Sequence, residues 1–371
     1  MSIKIIIAGG GTGGHIFPAI AIANALKAQC NNLEILFVGA NGKMEMEKVP
    51  LHGYSIKGID IAGFHRGSIL KNAGLPYKLL KSFFQVKSII INFRPDAVIG
   101  VGGYSSYPVL RFAQQKNIPT FIHESNSFAG KSNILLGKRA VKIFVASYGM
   151  EKFFPAKKLL MSGNPVRKAI SESTITREEA ISFFHLKPGK KIILSVGGSL
   201  GAQSINEVMA KHVQELDSLG LQLIWQTGKT NATYFANRAH VSHCTWVGEF
   251  IEHMDKAYAC ADLVVSRAGA MSIAELCVTK KPVIFVPYPY AAENHQFENA
   301  QYLVEKNAAL LVKNEDAQAQ LFKEITRLAN DEKLQSTLSE NIGKLAVYNA
   351  NEIIAAEILK YLSGKENNTI A

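Results

Sequence analysis

A histidine closes the run Gly9-Gly10-Gly11-Thr12-Gly13-Gly14-His15, the first place in the chain where residue types and spacing suggest chemistry. The run follows an apolar, β-branched stretch, Ile3 to Ala8, and opens a segment with helical spacing. A strand that ends in glycines and turns straight into a helix leaves backbone N–H groups uncovered, where the dipole favours an anion. The same dipole disfavours imidazolium, so His15 is expected to stay neutral and able to take a proton near neutral pH. That suits a general base, a role worth on the order of 10²–10⁴ in rate. A capping or packing histidine is the alternative. Glu124, in His123-Glu124-Ser125-Asn126, competes for the base, and Asn126 could hydrogen-bond a sugar hydroxyl.

A second glycine turn, Gly197-Gly198-Ser199-Leu200-Gly201-Ala202, follows Ile192 to Val196 about half the chain later. If a diphosphate leaves, its charge would be met by N–H groups at Gly198, Ser199 and Gly201, with Arg167 as a further candidate. Gly102, Gly103 and Tyr104 follow another strand-like run and would line the same sheet edge as the first loop. In Ser266-Arg267-Ala268-Gly269-Ala270 a strand end meets a glycine turn and a helix start. Glu275, in the first turns of that helix, could bind a ribose diol or serve only as a helix-stabilising charge. The amide of Gln296, after a Pro/Tyr-rich loop, could read sugar hydroxyls.

The first loop satisfies G-x-G-x-x-G, but that dinucleotide fingerprint also needs an acid at the end of the second strand. Here that strand ends Phe37-Val38-Gly39-Ala40-Asn41, without one. A phosphate- or sugar-facing loop is therefore expected, with a purely structural turn as the alternative. The sequence has no D-x-D or H-x-x-x-H, so neither a metal nor another cofactor is expected. Four dispersed cysteines point to a reducing cytosol.

The elements that must position these groups alternate. Ile3–Ala8, Glu34–Val38, Ala97–Val101, Thr120–His123 and Lys142–Ala146 read as strands, with helices at Ala19 to Ala28 and Tyr77 to Asn92. Ile192–Val196, Gln222–Gln226, Leu263–Ser266, Val283–Val286 and Ala309–Val312 repeat the scheme. The alternation predicts an α/β chain of two Rossmann-like, doubly wound parallel-sheet domains facing a central cleft. A chain of 371 residues has room for both. Gly163 and Pro165 predict the change of domain, giving 1–163 and 164–346. A final helix over about 347–363 is expected to pack back on the first domain, with a frayed polar tail from Gly364.

Net charge is +11 and unevenly placed: 20 basic against 7 acidic residues through Val166, then 21 against 23. A one-sided basic field suits an anionic partner such as phospholipid, nucleic acid or a polyphosphate substrate, with a merely soluble basic surface as the alternative. No basic, apolar leader precedes Ile3, and no run approaches the ~18 apolar residues of a spanning helix. A soluble or peripheral protein is expected. Between Leu70 and Phe93, Leu79, Phe83, Val86 and Ile90 form one helical stripe and Leu80, Phe84 and Ile91 another, flanked by Lys71, Lys78, Lys81 and Lys87. One stripe should face the sheet. The surplus, with Leu79, Phe83, Lys78 and Lys81 as its named members, could enter an anionic membrane surface or simply widen the core face.

In their order and spacing these motifs, with Gly163-Asn164-Pro165-Val166-Arg167, resemble the MurG family of bacterial N-acetylglucosaminyltransferases. The resemblance implies a GT-B fold and inverting, metal-independent transfer of GlcNAc from UDP-GlcNAc. The acceptor would be the MurNAc 4-hydroxyl of undecaprenyl-diphospho-MurNAc-pentapeptide (lipid I), giving lipid II for peptidoglycan. Thr12, Gly13, Gly14, Asn126, Arg167, Ser199, Ile251, Ala270 and Gln296 would contact the donor, with Glu275 on its ribose and His15 as base. The protein would sit peripherally on the cytoplasmic face of the inner membrane, with anionic lipid and other cell-wall synthesis proteins as partners and no nucleic acid. Leu200 departs from the family pattern, where glutamine usually follows the serine. A UDP-GlcNAc 2-epimerase, an antibiotic-modifying transferase and a non-catalytic nucleotide-sugar-binding subunit are the competing readings.

Overall fold

The computed structural model describes residues 2–63, 74–239, 242, 244–291 and 294–369; Leu70 and Lys71 of the amphipathic stretch lie outside them. The chain forms two compact units, Met1–Arg167 with Asn349–Ala371, and Lys168–Tyr348.

The first unit is a seven-stranded parallel sheet, ordered β3-β2-β1-β4-β5-β6-β7. Its strands are β1 (Ile3–Ala8), β2 (Leu33–Ala40), β3 (Ser55–Ile59), β4 (Ala97–Gly100), β5 (Thr120–Glu124), β6 (Lys142–Val145) and β7 (Leu159–Met161). The central strands β1 and β4 are apolar apart from Lys4 because both faces are covered. Ile5, Ile7, Ile99, Phe121 and Phe144 pack under α1 (Gly13–Gln29). Ile6, Ala8, Val98, Ile122 and Ile143 face the other layer, which contains α3 (Leu75–Phe93), α4 (Ser106–Gln115) and α5 (Lys131–Gly137). The short α2 (Glu45–Leu51) follows β2. Strand order reverses between β1 and β4, so their C-terminal loops flank the crevice where such sheets bind ligands.

The second unit has six parallel strands, ordered β10-β9-β8-β11-β12-β13. They are β8 (Ile192–Val196), β9 (Gln222–Gln226), β10 (Thr245–Gly248), β11 (Leu263–Ser266), β12 (Val283–Phe285) and β13 (Leu310–Leu311). The unit begins with α6 (Lys168–Ser171) and α7 (Arg177–Phe183), and α8 (Gln203–Ser218) and α9 (Ala232–Ala239) follow β8 and β9. Then come α10 (Met254–Cys260), α11 (Ala270–Thr279), α12 (His295–Glu305), α13 (Ala317–Asn330) and α14 (Glu332–Gly343). Trp225, Leu223, Val265 and Ile284 pack against Ile205 and Met209 of α8 and Leu321 and Ile325 of α13. The reversal between β8 and β11 makes the turns after these two strands the corresponding ligand edge.

The last helix, α15 (Ala350–Thr369), belongs to the first unit. Ile354, Ala355, Ile358 and Leu362 complete the layer over α1, and Lys142 pairs with Glu357 at 3.0 Å. The short strands β3, β7 and β10 were not evident from sequence. They lie at sheet edges, where one neighbour is missing and the apolar signal is weak.

Candidate functional site

His15 lies in the first turn of α1, where the dipole was expected to act. Its Nδ1 is 3.2 Å from the carbonyl of Gly10. A carbonyl only accepts, so Nδ1 carries the proton and Nε2 presents a lone pair. Burial lowers the pKa of His15 below 6.5, opposed by the Glu124 carboxylate, the Gly10 hydrogen bond and the Glu45 carboxylate, in that order. The ring edge bearing Nε2 lies on Gly102, where a Cβ would come 2.8 Å from both Nε2 and Cδ2. Gly102 also has φ +96°, a conformation that favours glycine. Gly103 abuts the Gly10 carbonyl, and the Tyr104 ring lies beside Gly11. The loops after β1 and β4 thus interlock around the imidazole.

Glu124 is 3% exposed, with both oxygens occupied. Oε1 accepts from the Asn126 amide (3.1 Å) and side chain (3.2 Å), and Oε2 from the Gly130 amide (3.1 Å) and Asn133 (2.8 Å). Four donors fill the four lone-pair sites of a carboxylate. The expectation of Glu124 as a competing base is corrected: it clamps the loop after β5 and acts on His15 through its charge. Asn126 is part of that clamp. The neighbouring His123 is fully buried, 3.4 Å from the Gly163 carbonyl, and burial pushes its pKa down to about 4.

Glu45 and the remaining first-unit groups complete this edge. Glu45, which the sequence reading passed over, accepts from Gly11 N and Ala40 N, each at 2.9 Å. The signal was the fingerprint acid missing from the end of β2: an acid does follow, five residues beyond Ala40, and turns back to the glycine loop. Thr12 is the N-cap of α1 without a side-chain cap bond, and Gly13 and Gly14 form its first turn. The guanidinium of Arg167 stacks 4.4 Å from the Phe17 ring centroid, in the first unit.

In the second unit the Gly198–Gly201 turn leads into α8. The Gly201 amide is already donated to the Gly198 carbonyl (3.0 Å), so its assignment to a leaving diphosphate is corrected. Gly198 is exposed and Ser199 partly buried, and neither amide has a hydrogen-bond acceptor among the described residues. Gln226, at the end of β9, donates to Gly198 O (3.0 Å) and accepts from Ile251 N (3.0 Å). Ile251 is 2% exposed, and its amide is committed to Gln226. A polar residue ending a buried strand was the unused sign for Gln226.

Ala270 starts α11 after an uncapped Gly269. Glu275 lies in the second turn of that helix and accepts from Tyr258 Oη at 3.1 Å. Gln296 accepts from Tyr288 N (2.9 Å), which turns its Nε2 donor outward from that bond. Arg267 donates to the carbonyls of Val286 (2.8 Å) and Pro287 (3.0 Å) and to Asn314 (2.8 Å). Burial lowers its pKa to about 10, still a cation at neutral pH. It ties the loops after β12 and β13 to the turn after β11.

The amphipathic helix α3 buries Val86 and Ile90, while Leu80 (59% exposed), Phe84 (65%), Tyr77 and Ile91 face outward. The expected patch therefore shifts. Leu79 is only marginally exposed and Phe83 is half-buried, because the helix turns its other stripe to solvent. Lys81 pairs with Asp60 at 2.8 Å, and Asp60 also accepts from Asn41 and Gln85, so this lysine is not a spare cation. Lys78 is exposed. No described helix is long and apolar enough to cross a membrane, and no described group of three His, Cys, Asp or Glu residues could hold a metal ion.

The chain matches the glycosyltransferase family 28 N-terminal domain over residues 5–145 and the C-terminal domain over 192–354. A protein of Phocaeicola vulgatus named UDP-N-acetylglucosamine–N-acetylmuramyl-(pentapeptide) pyrophosphoryl-undecaprenol N-acetylglucosamine transferase is 48% identical, covering 97% of this chain and 96% of its own. A protein of the same name from Bacteroides thetaiotaomicron is also 48% identical, over 98% and 99%. The crystal structure of Acinetobacter baumannii MurG superposes with a TM-score of 0.71 at 28% identity, covering 96% of this chain and 99% of that one. With two parallel-sheet units, both family 28 domains and this identity along its whole length, the chain belongs to the MurG family of N-acetylglucosaminyltransferases.

Proposed function

We propose that the protein transfers GlcNAc from UDP-GlcNAc to the MurNAc 4-hydroxyl of undecaprenyl-diphospho-MurNAc-pentapeptide, forming lipid II with inversion at the anomeric carbon. The observation that carries the mechanism is the 3.2 Å contact between His15 Nδ1 and Gly10 O, which assigns the proton to Nδ1 and the lone pair of a base to Nε2. The acceptor oxygen forms its bond to the anomeric carbon while its proton passes to Nε2. The bond from that carbon to the β-phosphate oxygen breaks, and UDP departs with the electron pair. The Gly198 and Ser199 amides are suited to the diphosphate charge, Glu275 to the ribose diol and Gln296 Nε2 to a sugar hydroxyl. Thr12, Gly13, Gly14, Asn126, Arg167, Ile251 and Ala270 are the further donor contacts of this reading. Gly102, Gly103 and Tyr104 shape the acceptor side.

In this reading the first unit supplies the base and the acceptor loops, and the second supplies the groups suited to the diphosphate and the ribose. The row Tyr77, Leu80, Phe84 and Ile91, beside Lys78 in the basic half of the chain, supports seating on an anionic membrane surface at the cytoplasmic face. The test incubates the protein with radiolabelled UDP-GlcNAc and a lipid I analogue, with and without EDTA. Labelled disaccharide lipid in both arms is expected. Release of ManNAc without acceptor, or label transfer that EDTA abolishes, would overturn the reading.

A further inference from the structure

Glu45 is 1% exposed, and its two oxygens reach two different loops. Oε2 accepts from Gly11 N, inside the first glycine loop, and Oε1 from Ala40 N at the end of β2, both at 2.9 Å. Its side chain fills the space beside Gly10 and Gly39, since a Cβ on either would run into the carboxyl group or its stem. No lysine or arginine of the described residues pairs with it. Gly10, one residue before the bonded amide, is the carbonyl that orients His15.

An amide at the end of a parallel strand, next to a helix N-terminus, is where such folds receive a phosphate oxygen. Here Gly11 N is already taken by a carboxylate of the protein itself. A buried carboxylate accepting only from N–H groups gains charge-assisted bonds, each about twice a neutral one. It also leaves a negative charge that repels any second anion arriving at the same point. We propose that Glu45 is a positioning and selectivity residue: a built-in anion that holds the Gly10–Gly11 backbone so His15 keeps its base tautomer, and that denies the Gly11 amide to phosphate. The loop then receives a neutral hydroxyl. The proposal rests on the transfer reaction above.

Two variants test it. Glu45→Gln keeps the shape but sets an amide NH₂ against one of the two N–H groups and removes the charge. Expected are a 10–100-fold lower kcat, donor KM within about twofold of wild type, and inhibition by inorganic pyrophosphate, competitive with the lipid acceptor, that wild type lacks. The acid limb of the pH–rate profile moves to lower pH, because a carboxylate that raises the His15 pKa is gone. Glu45→Ala leaves a carboxylate-sized gap lined by two amides, and added formate restores at least part of the lost kcat while acetamide does not. UDP binding to either variant, measured by calorimetry, reports that the protein is folded.

Loss of kcat with an unmoved acid limb, no pyrophosphate sensitivity and no formate rescue would reduce Glu45 to scaffold and overturn the proposal, as would a Glu45→Gln enzyme indistinguishable from wild type. If wild type itself transfers no GlcNAc, the functional reading fails instead. Titrating pyrophosphate into both proteins without substrate separates the two cases: tighter binding to Glu45→Gln is the expected result.

Discussion

The Nε2 edge of His15 rests on the backbone of Gly102, with room for a hydrogen and none for a methyl group. Gly102→Ala places a Cβ 2.8 Å from Nε2 and Cδ2, where the imidazole must swing away from its Gly10 bond. The left-handed φ adds roughly 1–2 kcal/mol of strain for a residue with a Cβ. The expected outcome is a loss of kcat of at least ~10²-fold, since a displacement near 1 Å can cost that much. UDP affinity should stay within twofold. Steady-state kinetics and calorimetry check both; equal losses in each would mean the loop serves the donor instead.

The acid limb of kcat/KM should follow His15. A base must be neutral, and burial lowers the His15 pKa below 6.5, so the half-maximum of this limb lies below pH 6.5. His15→Ala should lower kcat by on the order of 10²–10⁴ and remove this limb. A half-maximum above pH 6.5 in wild type would show a base other than His15.

Much of this was legible before any coordinates. The β1 and β8 runs, their glycine turns and the alternating pattern announce two doubly wound sheets, because strands buried on both faces are apolar throughout. His15 was legible because it closes a glycine loop at a helix start. Glu45 was not, because nothing in Met-Glu-Met-Glu says which acid turns inward. Nor was the saturation of Glu124, which depends on Gly130 and Asn133 coming back to it through the fold. The two α3 stripes were legible, but Leu79 and Phe83 were named for the outward patch, and it is Leu80, Phe84 and Ile91 that face outward. Two apolar rows on one helix are equivalent until the sheet chooses one.

Folding stability should carry the mark of His123. Its pKa is held near 4 in the folded protein by burial, against 6.5 for an exposed imidazole. The unfolded chain therefore binds the extra proton first as pH falls. Stability is full above about 6.5 and is lost progressively down to about 4, by an amount on the order of 3 kcal/mol. Urea unfolding of wild type and His123→Gln across pH 7.5 to 4 should show a shallower decline for the variant. Parallel curves would mean that His123 does not govern the loss.

Membrane seating should depend on the outward row of α3. Leu80→Ser with Phe84→Ser removes two exposed apolar side chains, each worth up to about 2 kcal/mol when buried. At least a tenfold weaker association with anionic phospholipid vesicles is expected, with turnover on a short-chain, soluble acceptor unchanged. Lys81→Ala should matter less than Lys78→Ala, because Lys81 already spends its charge on Asp60. Co-sedimentation reads all three, and an unaffected double variant would move the contact elsewhere.

Gln226 gives the sharpest test of the donor side. One amide spans Gly198 O and Ile251 N, so the glycine turn and the segment after β10 are set by the same side chain. Gln226→Leu fills the space but leaves both partners without this side chain, at about 1–3 kcal/mol for the buried Ile251 amide. The turn that should carry the diphosphate then loses its fixed carbonyl, and the Gly198 and Ser199 amides lose their aim. A roughly tenfold rise in UDP Kd and donor KM is expected, with acceptor KM little changed. Gln226→Glu should be worse, because a carboxylate can still accept from Ile251 N but opposes both the Gly198 carbonyl and an incoming diphosphate. If the two variants weaken UDP equally, lost geometry alone explains the effect, and the turn does not meet the phosphates.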